Sequence, residues 1–243
     1  MAAIEAIDLT KRYGARIAVD ALAFTAEPGE VVGLLGPNGA GKTTTIRLLT
    51  TILEPSSGIF TVAGKAGDRP DRIRQRIGVL PESAGYPARQ TGFEYLQYAA
   101  RLFGRSRTEA RTVAERLLGE VGLADRGHSR ISTYSRGMRQ RLGIARALVN
   151  DPVVVFLDEP TLGLDPAGQR EILATISDIA GRRGATVVLS THTLSEVEEV
   201  CSAVIILDHG QLRASGPIDE VVAGTGSLST TFLALTKGHG SQA

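Results

Sequence analysis

The sequence predicts an α/β fold, in which a parallel-sheet core carries a phosphate-binding loop and a helical segment is inserted into that core. Three stretches of the 243 residues carry this prediction. First, the apolar run Val31–Leu35 feeds the glycine-rich loop Gly36-Pro37-Asn38-Gly39-Ala40-Gly41-Lys42-Thr43, and Thr44 opens the helical continuation. Strand, glycine loop and helix in that order are the context in which Gly-x-x-x-x-Gly-Lys-Thr binds phosphate. Second, residues 91–149 are helical by pattern. Third, a strand apolar on both faces at 153–157 resumes the alternation of strands and helices, as a buried parallel strand requires.

Taken in order, residues 4–9 and 17–24 show broken alternation and read as strands, with Lys11-Arg12-Tyr13-Gly14 as the turn between them. Pro28-Gly29 punctuates before the central strand. The helix after the loop is expected to run to about Leu53, because Pro55 drives Glu54 out of helical conformation. Residues 59–62 form a strand, 71–75 a short helix and 77–80 a strand that stops at Pro81. Thr91-Gly92-Phe93-Glu94 is a capping box, residues 108–121 form a second helix ended by Gly122, and Ser135 caps a third. On that third helix Met138, Leu142, Ala145 and Val149 share one face, a pattern of core packing rather than of a ligand surface. Asp165-Pro166 starts a helix with proline in its first turn. Residues 185–190 form a strand, and Thr193-Leu194-Ser195-Glu196 is a second capping box. Residues 204–207 and 211–214 form strands joined at Asp208-His209-Gly210. From Gly224 the chain is Gly/Ser/Thr-rich, with one apolar patch at 232–235.

Composition excludes several classes. No apolar run approaches the roughly 20 residues of a membrane span, and the amino end lacks the basic and apolar regions of a secretory signal. The lone Cys201 rules out an internal disulfide and suits a reducing cytosol; it reads as a small buried hydrophobe on a helix. A net charge of +1 is unlike a general nucleic-acid binder. Residues 89–146 nevertheless hold 12 Lys/Arg against 5 Asp/Glu, suited either to a solvated helical surface or to an anionic partner.

The loop chemistry is specific. Glycines let backbone N–H groups converge on phosphate at the positive end of a helix, Lys42 reaches the β- and γ-phosphates, and the Thr43 hydroxyl ligates Mg²⁺. Asp158-Glu159 follows the buried strand. The first carboxylate is placed to hold Mg²⁺ and the second to polarise a water for attack on the γ-phosphate.

Further residues carry a resemblance. Tyr134-Ser135-Arg136-Gly137-Met138-Arg139-Gln140-Arg141 resembles the signature motif of ABC transporter nucleotide-binding domains, and other family marks fall in family order. Tyr13 matches the aromatic that stacks on adenine, Gly163-Leu164-Asp165 the D-loop, and Ser190-Thr191-His192 the switch histidine. The resemblance implies a phosphate-loop (RecA-like) core with an N-terminal antiparallel β subdomain and an inserted α-helical subdomain. One ATPase domain would span residues 1–222, with a core lobe of 1–88 and 150–222, a helical lobe of 89–149 and a tail of 223–243. Glu159, His192 and Lys42 would be catalytic. Gly36 to Thr44 and Tyr13 would hold ATP, with Ser135, Arg136 and Gly137 contributed by a second copy, and Asp165 would couple the dimer. Thr43, Asp158 and Glu82 would hold Mg²⁺.

Two departures narrow the branch. Glu82 stands where most members have glutamine; a carboxylate there can still ligate Mg²⁺ or hold water, with added negative charge beside phosphate. Tyr-Ser-Arg-Gly-Met replaces the usual Leu-Ser-Gly-Gly-Gln. Both are similar to ATPases that export drugs, antibiotics, lipids or ions through separate type-2 permeases, the daunorubicin-resistance ATPases among them. The resemblance thus implies an ATP-dependent homodimer on the inner face of the cell membrane, a separate permease docked near 83–86 and 93–103, and no nucleic acid. A soluble ABC ATPase with a mechanical role is the alternative. A phosphoryl-transfer kinase would share the loop but has no use for the signature or the histidine.

Overall fold

The computed structural model describes residues 1–236. Strands β1 (Ile4–Tyr13) and β2 (Arg16–Ala26) form an antiparallel hairpin, with β4 (Ser57–Val62) antiparallel on the far side of β1 and β5 (Lys65–Ala66) beyond it. The residues read as a turn at Lys11 to Tyr13 instead belong to β1; a bulge near Lys11 breaks the alternation and hides the strand. The turn is only Gly14 and Ala15, with Gly14 at φ 59°.

The second sheet has β3 (Val31–Leu35) third among its six strands, in the order β10-β9-β3-β8-β7-β6. Strands β6 (Ile77–Leu80), β7 (Val154–Asp158), β8 (Thr186–Thr191) and β9 (Ala203–Asp208) run parallel with β3, and β10 (Gln211–Pro217) returns antiparallel beside β9. Every residue of β3, β7, β8 and β9 is buried, which explains their two-faced apolarity. Parallel strands put all their carboxyl ends on one edge. In register, Leu35 lies beside Thr191 and Asp158 beside Ser190, so the chemistry-bearing residues that follow these strands meet there.

Three apolar clusters hold the elements. On one sheet face, Leu34, Phe156 and Val188 pack against the antiparallel sheet, α1 (Lys42–Leu49) and α2 (Pro70–Arg74). On the other, Val155, Leu157 and Leu189 join α3 (Gly92–Leu102), α4 (Arg107–Glu120), α5 (Arg136–Ala147) and α6 (Pro166–Arg183) in one continuous core. The inserted helices therefore share their core with the sheet. Each fully buried leucine or valine contributes about 1.5–3 kcal/mol to this packing.

Helix boundaries follow local chemistry. Thr91 and Ser106 each close a reciprocal capping box, with Glu94 and Glu109, and Ser135 and Asp165 cap α5 and α6 by accepting from Met138 and Gly168. Helix α1 stops at Leu49 rather than near Leu53: Thr50 caps it and Thr51 adopts φ 60°. The second expected capping box is not formed. Thr193 precedes α7 (Leu194–Val200) without a side-chain cap bond, because Glu196 instead accepts from the Thr191 hydroxyl at 2.7 Å. Cys201 is the residue after α7, partly buried against Gly33 and Val197 rather than within the helix. Two helices escaped the sequence reading: α8 (Ile218–Val222) and α9 (Leu228–Thr236). The apolar patch at 232–235 is part of α9, where Leu228, Phe232 and Leu235 pack against Leu35, Val204 and Ile206.

Candidate functional site

The loop after β3 bends because nothing larger than glycine fits its first position. A Cβ on Gly36 would strike the Leu207 carbonyl oxygen. Gly39 and Gly41 adopt φ 82° and 105°, where glycine carries no steric penalty. The loop is braced from β9–β10, where the Gly210 N–H donates to the Ala40 carbonyl at 3.0 Å.

Around it lies an open cavity of about 400 Å³, lined by Pro37 to Thr44 of the loop and helix, Arg16, Ala18, Glu82, Glu159, Leu162 and His192. Lys42 is buried; its ammonium donates to the Gly36 carbonyl at 2.7 Å and lies 3.4 Å from Glu159 Oε1. The other oxygen of Glu159 lies 3.0 Å from His192 Nδ1, so lysine, carboxylate and imidazole form a line across the cavity floor. Thr43 Oγ1 donates to Asp158 Oδ1 at 3.3 Å.

The acidic pair is held by a residue to which sequence reading gave no separate role. The Ser190 hydroxyl donates to Asp158 Oδ1 at 2.5 Å and accepts from the Glu159 N–H at 3.0 Å. Glu159 itself adopts φ 50°, a strained conformation for a side chain of this size, so its carboxylate is aimed by the backbone as well as by its partners. The neighbouring Thr191 hydroxyl accepts from the Thr193 N–H while donating to buried Glu196, which shapes the turn that carries His192. A short hydroxyl residue at the end of a buried strand was the available signal for Ser190.

Other sequence candidates are placed differently. Tyr13 is exposed and covered by the Lys11 ammonium at 5.5 Å; the cavity wall on that side is made by Arg16 and Ala18 across the hairpin. Ser135 and Arg136 are exposed outside the lining of this cavity, with Gly137 beside them. Asp165 caps α6. Tyr86 turns inward: its ring meets Tyr95 edge-on at 5.9 Å, and its hydroxyl is buried over Gly143 without a hydrogen-bond partner.

The donor set suits a small hard cation. Thr43 and Asp158 offer adjacent oxygens and Glu82 stands on the same rim. No group of three or more His, Cys, Asp or Glu side chains forms a metal cage among the described residues. Magnesium is usually held in this way, by one or two protein oxygens with phosphate and water completing its shell.

A glycine loop on the carboxyl edge of a parallel sheet, facing an acidic pair and a histidine, defines a nucleoside triphosphatase. The sequence model of the ABC transporter family matches residues 19–162, and the chain belongs to that family as an ATP-binding, ATP-hydrolysing subunit. It is 40% identical over 223 residues to the Nod factor export ATP-binding protein I of Paraburkholderia xenovorans strain LB400, covering 91% of this chain and 73% of that protein. It is also 40% identical over 226 residues to the daunorubicin/doxorubicin resistance ATP-binding protein DrrA of Streptomyces peucetius, covering 93% and 68%. A solved structure described as the ATP-binding subunit of an ABC transporter superposes with a TM-score of 0.84 at 32% identity, over 96% of this chain and 98% of the other. These agree with the predicted α/β architecture, its antiparallel β subdomain included.

Proposed function

We propose that this chain powers an exporter, through a separate permease, by ATP-dependent pairing of two copies on the inner face of the membrane. The relatives that export Nod factor or confer daunorubicin resistance support the direction of transport. No helix among the described residues is long and apolar enough to cross a membrane, so a translocation path needs another polypeptide or segment.

The observation that carries the pairing is the separation of two sets of residues. Lys42, Thr43, Glu159 and His192 line one cavity or its edge, whereas the signature residues Ser135, Arg136 and Gly137 lie outside it at the amino end of α5. A helix amino end favours an anion. In this reading it completes the other copy's site from across the interface, and Asp165 lies at the contact. Gly36 to Thr44 cradle the triphosphate, Lys42 changes partner from the loop carbonyls to phosphate oxygen, and Tyr13 or Arg16 borders the base. Glu159 takes the proton of the attacking water, with His192 holding its carboxylate in line. Magnesium, held by Thr43 and Asp158 with Glu82 nearby, would neutralise charge on the β- and γ-phosphates. The reading divides the chain into a core lobe (1–88 and 150–222), a helical lobe (89–149) and a tail (223–243).

The permease site is a groove of about 360 Å³ between the end of α1, strand β6 and α3, where Ile52, Leu102 and Phe103 are exposed. Tyr86, being turned inward, is a packing residue there rather than a docking contact. The test is Glu159→Gln, which is expected to retain ATP affinity and to run as a dimer in ATP by light scattering. Wild-type hydrolysis by this variant would remove Glu159 from the base role. Leu102→Asp is expected to abolish efflux by the reconstituted transporter while leaving ATP binding unchanged; unchanged efflux would remove the groove from the docking role.

A further inference from the structure

Arg136 stands at the first position of α5, immediately after its cap Ser135. Its neighbours Arg139 and Arg141 are engaged, the former with the Tyr134 carbonyl at 3.0–3.1 Å and the latter with Glu171 at 3.3 Å. The Arg136 side chain makes no hydrogen bond or ion pair among the described residues. Its guanidinium lies flat against Gly163: a Cβ built on that glycine would stand 2.6 Å from Cζ and Nη1 and 2.9 Å from Nη2. Gly163 has φ 69°, a backbone conformation that calls for glycine. On the same side, a Cβ on Gly137 would stand 3.9 Å from Leu164 Cδ2.

Gly163 belongs to a short path between two functional groups. The Leu162 N–H donates to the Glu159 carbonyl at 3.2 Å and the Leu164 N–H to the Thr161 carbonyl at 3.1 Å, after which Asp165 caps α6. Leu162 also lines the nucleotide cavity. A side chain bearing on Gly163 thus bears on a hydrogen-bonded turn that begins at Glu159.

We propose that Arg136 is a positioning residue for Glu159 of its own chain, acting through Gly163, and that it couples the two nucleotide sites of a dimer. In the free chain the guanidinium clamps the turn 159–164. When the amino end of α5 meets a triphosphate held by another copy, the unpaired cation moves to that anion and the clamp is released. Occupancy of one site thereby sets the position of Glu159 in the other. The coupling rests on the paired arrangement proposed above; the clamp does not.

Hydrogen exchange on the nucleotide-free protein separates the two parts. Arg136→Ala is expected to speed exchange of the Leu162 and Leu164 amides by about three- to fivefold, with the Ala110–Leu118 amides unchanged. A contact made only with ATP across an interface would leave these amides unaltered, and that result would overturn the proposal. Arg136→Lys keeps the charge but not the plane; it is expected to exchange as fast as the alanine variant. In steady state Arg136→Ala is expected to lower kcat and, because the guanidinium also meets the other copy's triphosphate, to raise KM, and to reduce a Hill coefficient for ATP of about 2 towards 1. An Arg136→Ala enzyme that retains full cooperativity would also overturn it. Failure of the Glu159→Gln protein to dimerise in ATP would instead remove the pairing, and the coupling with it, while the exchange result still decides the clamp.

Discussion

Ser190 links the two acidic residues of the site. One hydroxyl bonds a buried Asp158 oxygen and the Glu159 N–H together, so Ser190→Ala leaves Asp158 Oδ1 with only the 3.3 Å bond from Thr43 and the Glu159 N–H with only the Ser190 carbonyl at 3.2 Å. The expected loss is about 1–3 kcal/mol of stability, read as a lowered midpoint in urea unfolding. ATP turnover should fall with it, since Glu159 would lose one of the bonds holding its strained backbone. Legibility at this scale followed geometry. Lys42, Thr43, Asp158 and Glu159 were readable because their work requires fixed residue types at fixed spacing beside a strand. Arg16 and Ala18 were not, because they reach the cavity through a hairpin whose register depends on bulges in β1. Tyr13 was the readable aromatic, but it lies on the side covered by Lys11.

Among the elements, three Ser/Thr-x-x-Glu segments look alike in sequence and behave differently in the fold. The boxes at Thr91 and Ser106 close on both sides, whereas at Thr193 the glutamate is taken by Thr191. Thr91→Ala is therefore expected to cost about 1 kcal/mol by loss of its cap, and Thr193→Ala close to nothing from capping; thermal unfolding of the pair checks this. The reason is tertiary. Glu196 is buried and needs a strong donor, which the strand end supplies better than its own cap position. Helix α9 was hidden for a related reason. Its Ser and Thr content reads as a loop, and only the apolar face formed by β9, β3 and α7 makes helix the favoured state. The parallel strands, by contrast, were legible almost to the residue, since burial on both faces leaves an unbroken apolar run.

Across the whole molecule, the helical insert is joined to the sheet by a shared apolar core and, on the far side, by a cluster of charges. Asp151 accepts from Arg105, Arg116 and Arg183 at 3.0–3.2 Å, and Glu120 pairs with Arg116 and Arg183, linking α4, α6 and the segment before β7. Of the arginines in residues 89–146, Arg105, Arg116 and Arg141 pair with acidic residues outside that stretch, so part of the local excess of positive charge read from the sequence is met within the fold. Alkaline titration is the other property of the whole. Burial, with Glu196 nearby, pushes the Cys201 thiol up from 9.0 to about 12; burial, with Tyr95 beside it, pushes the Tyr86 hydroxyl up from 10.0 to about 12. Both groups stay protonated in the folded chain after the unfolded chain has lost those protons. Their stabilising effect is complete below about pH 9 and is lost as pH rises towards 12. A Tyr86→Phe, Cys201→Ala double variant is expected to show a shallower fall of melting temperature between about pH 9 and 11 than the parent.

The ammonium of Lys42 already has company before any nucleotide arrives: the loop's own carbonyl at 2.7 Å and a carboxylate at 3.4 Å. Entry of a triphosphate is therefore an exchange of partners and not the filling of a vacancy. The bond that Lys42 gains to the ligand displaces ones the protein had made with itself, so this contact adds less net affinity than its place in the filled site would suggest. The same internal partners wait for the lysine when product leaves. A cycle that must let go of its spent nucleotide as readily as it takes up the next is helped by a site that can close on itself.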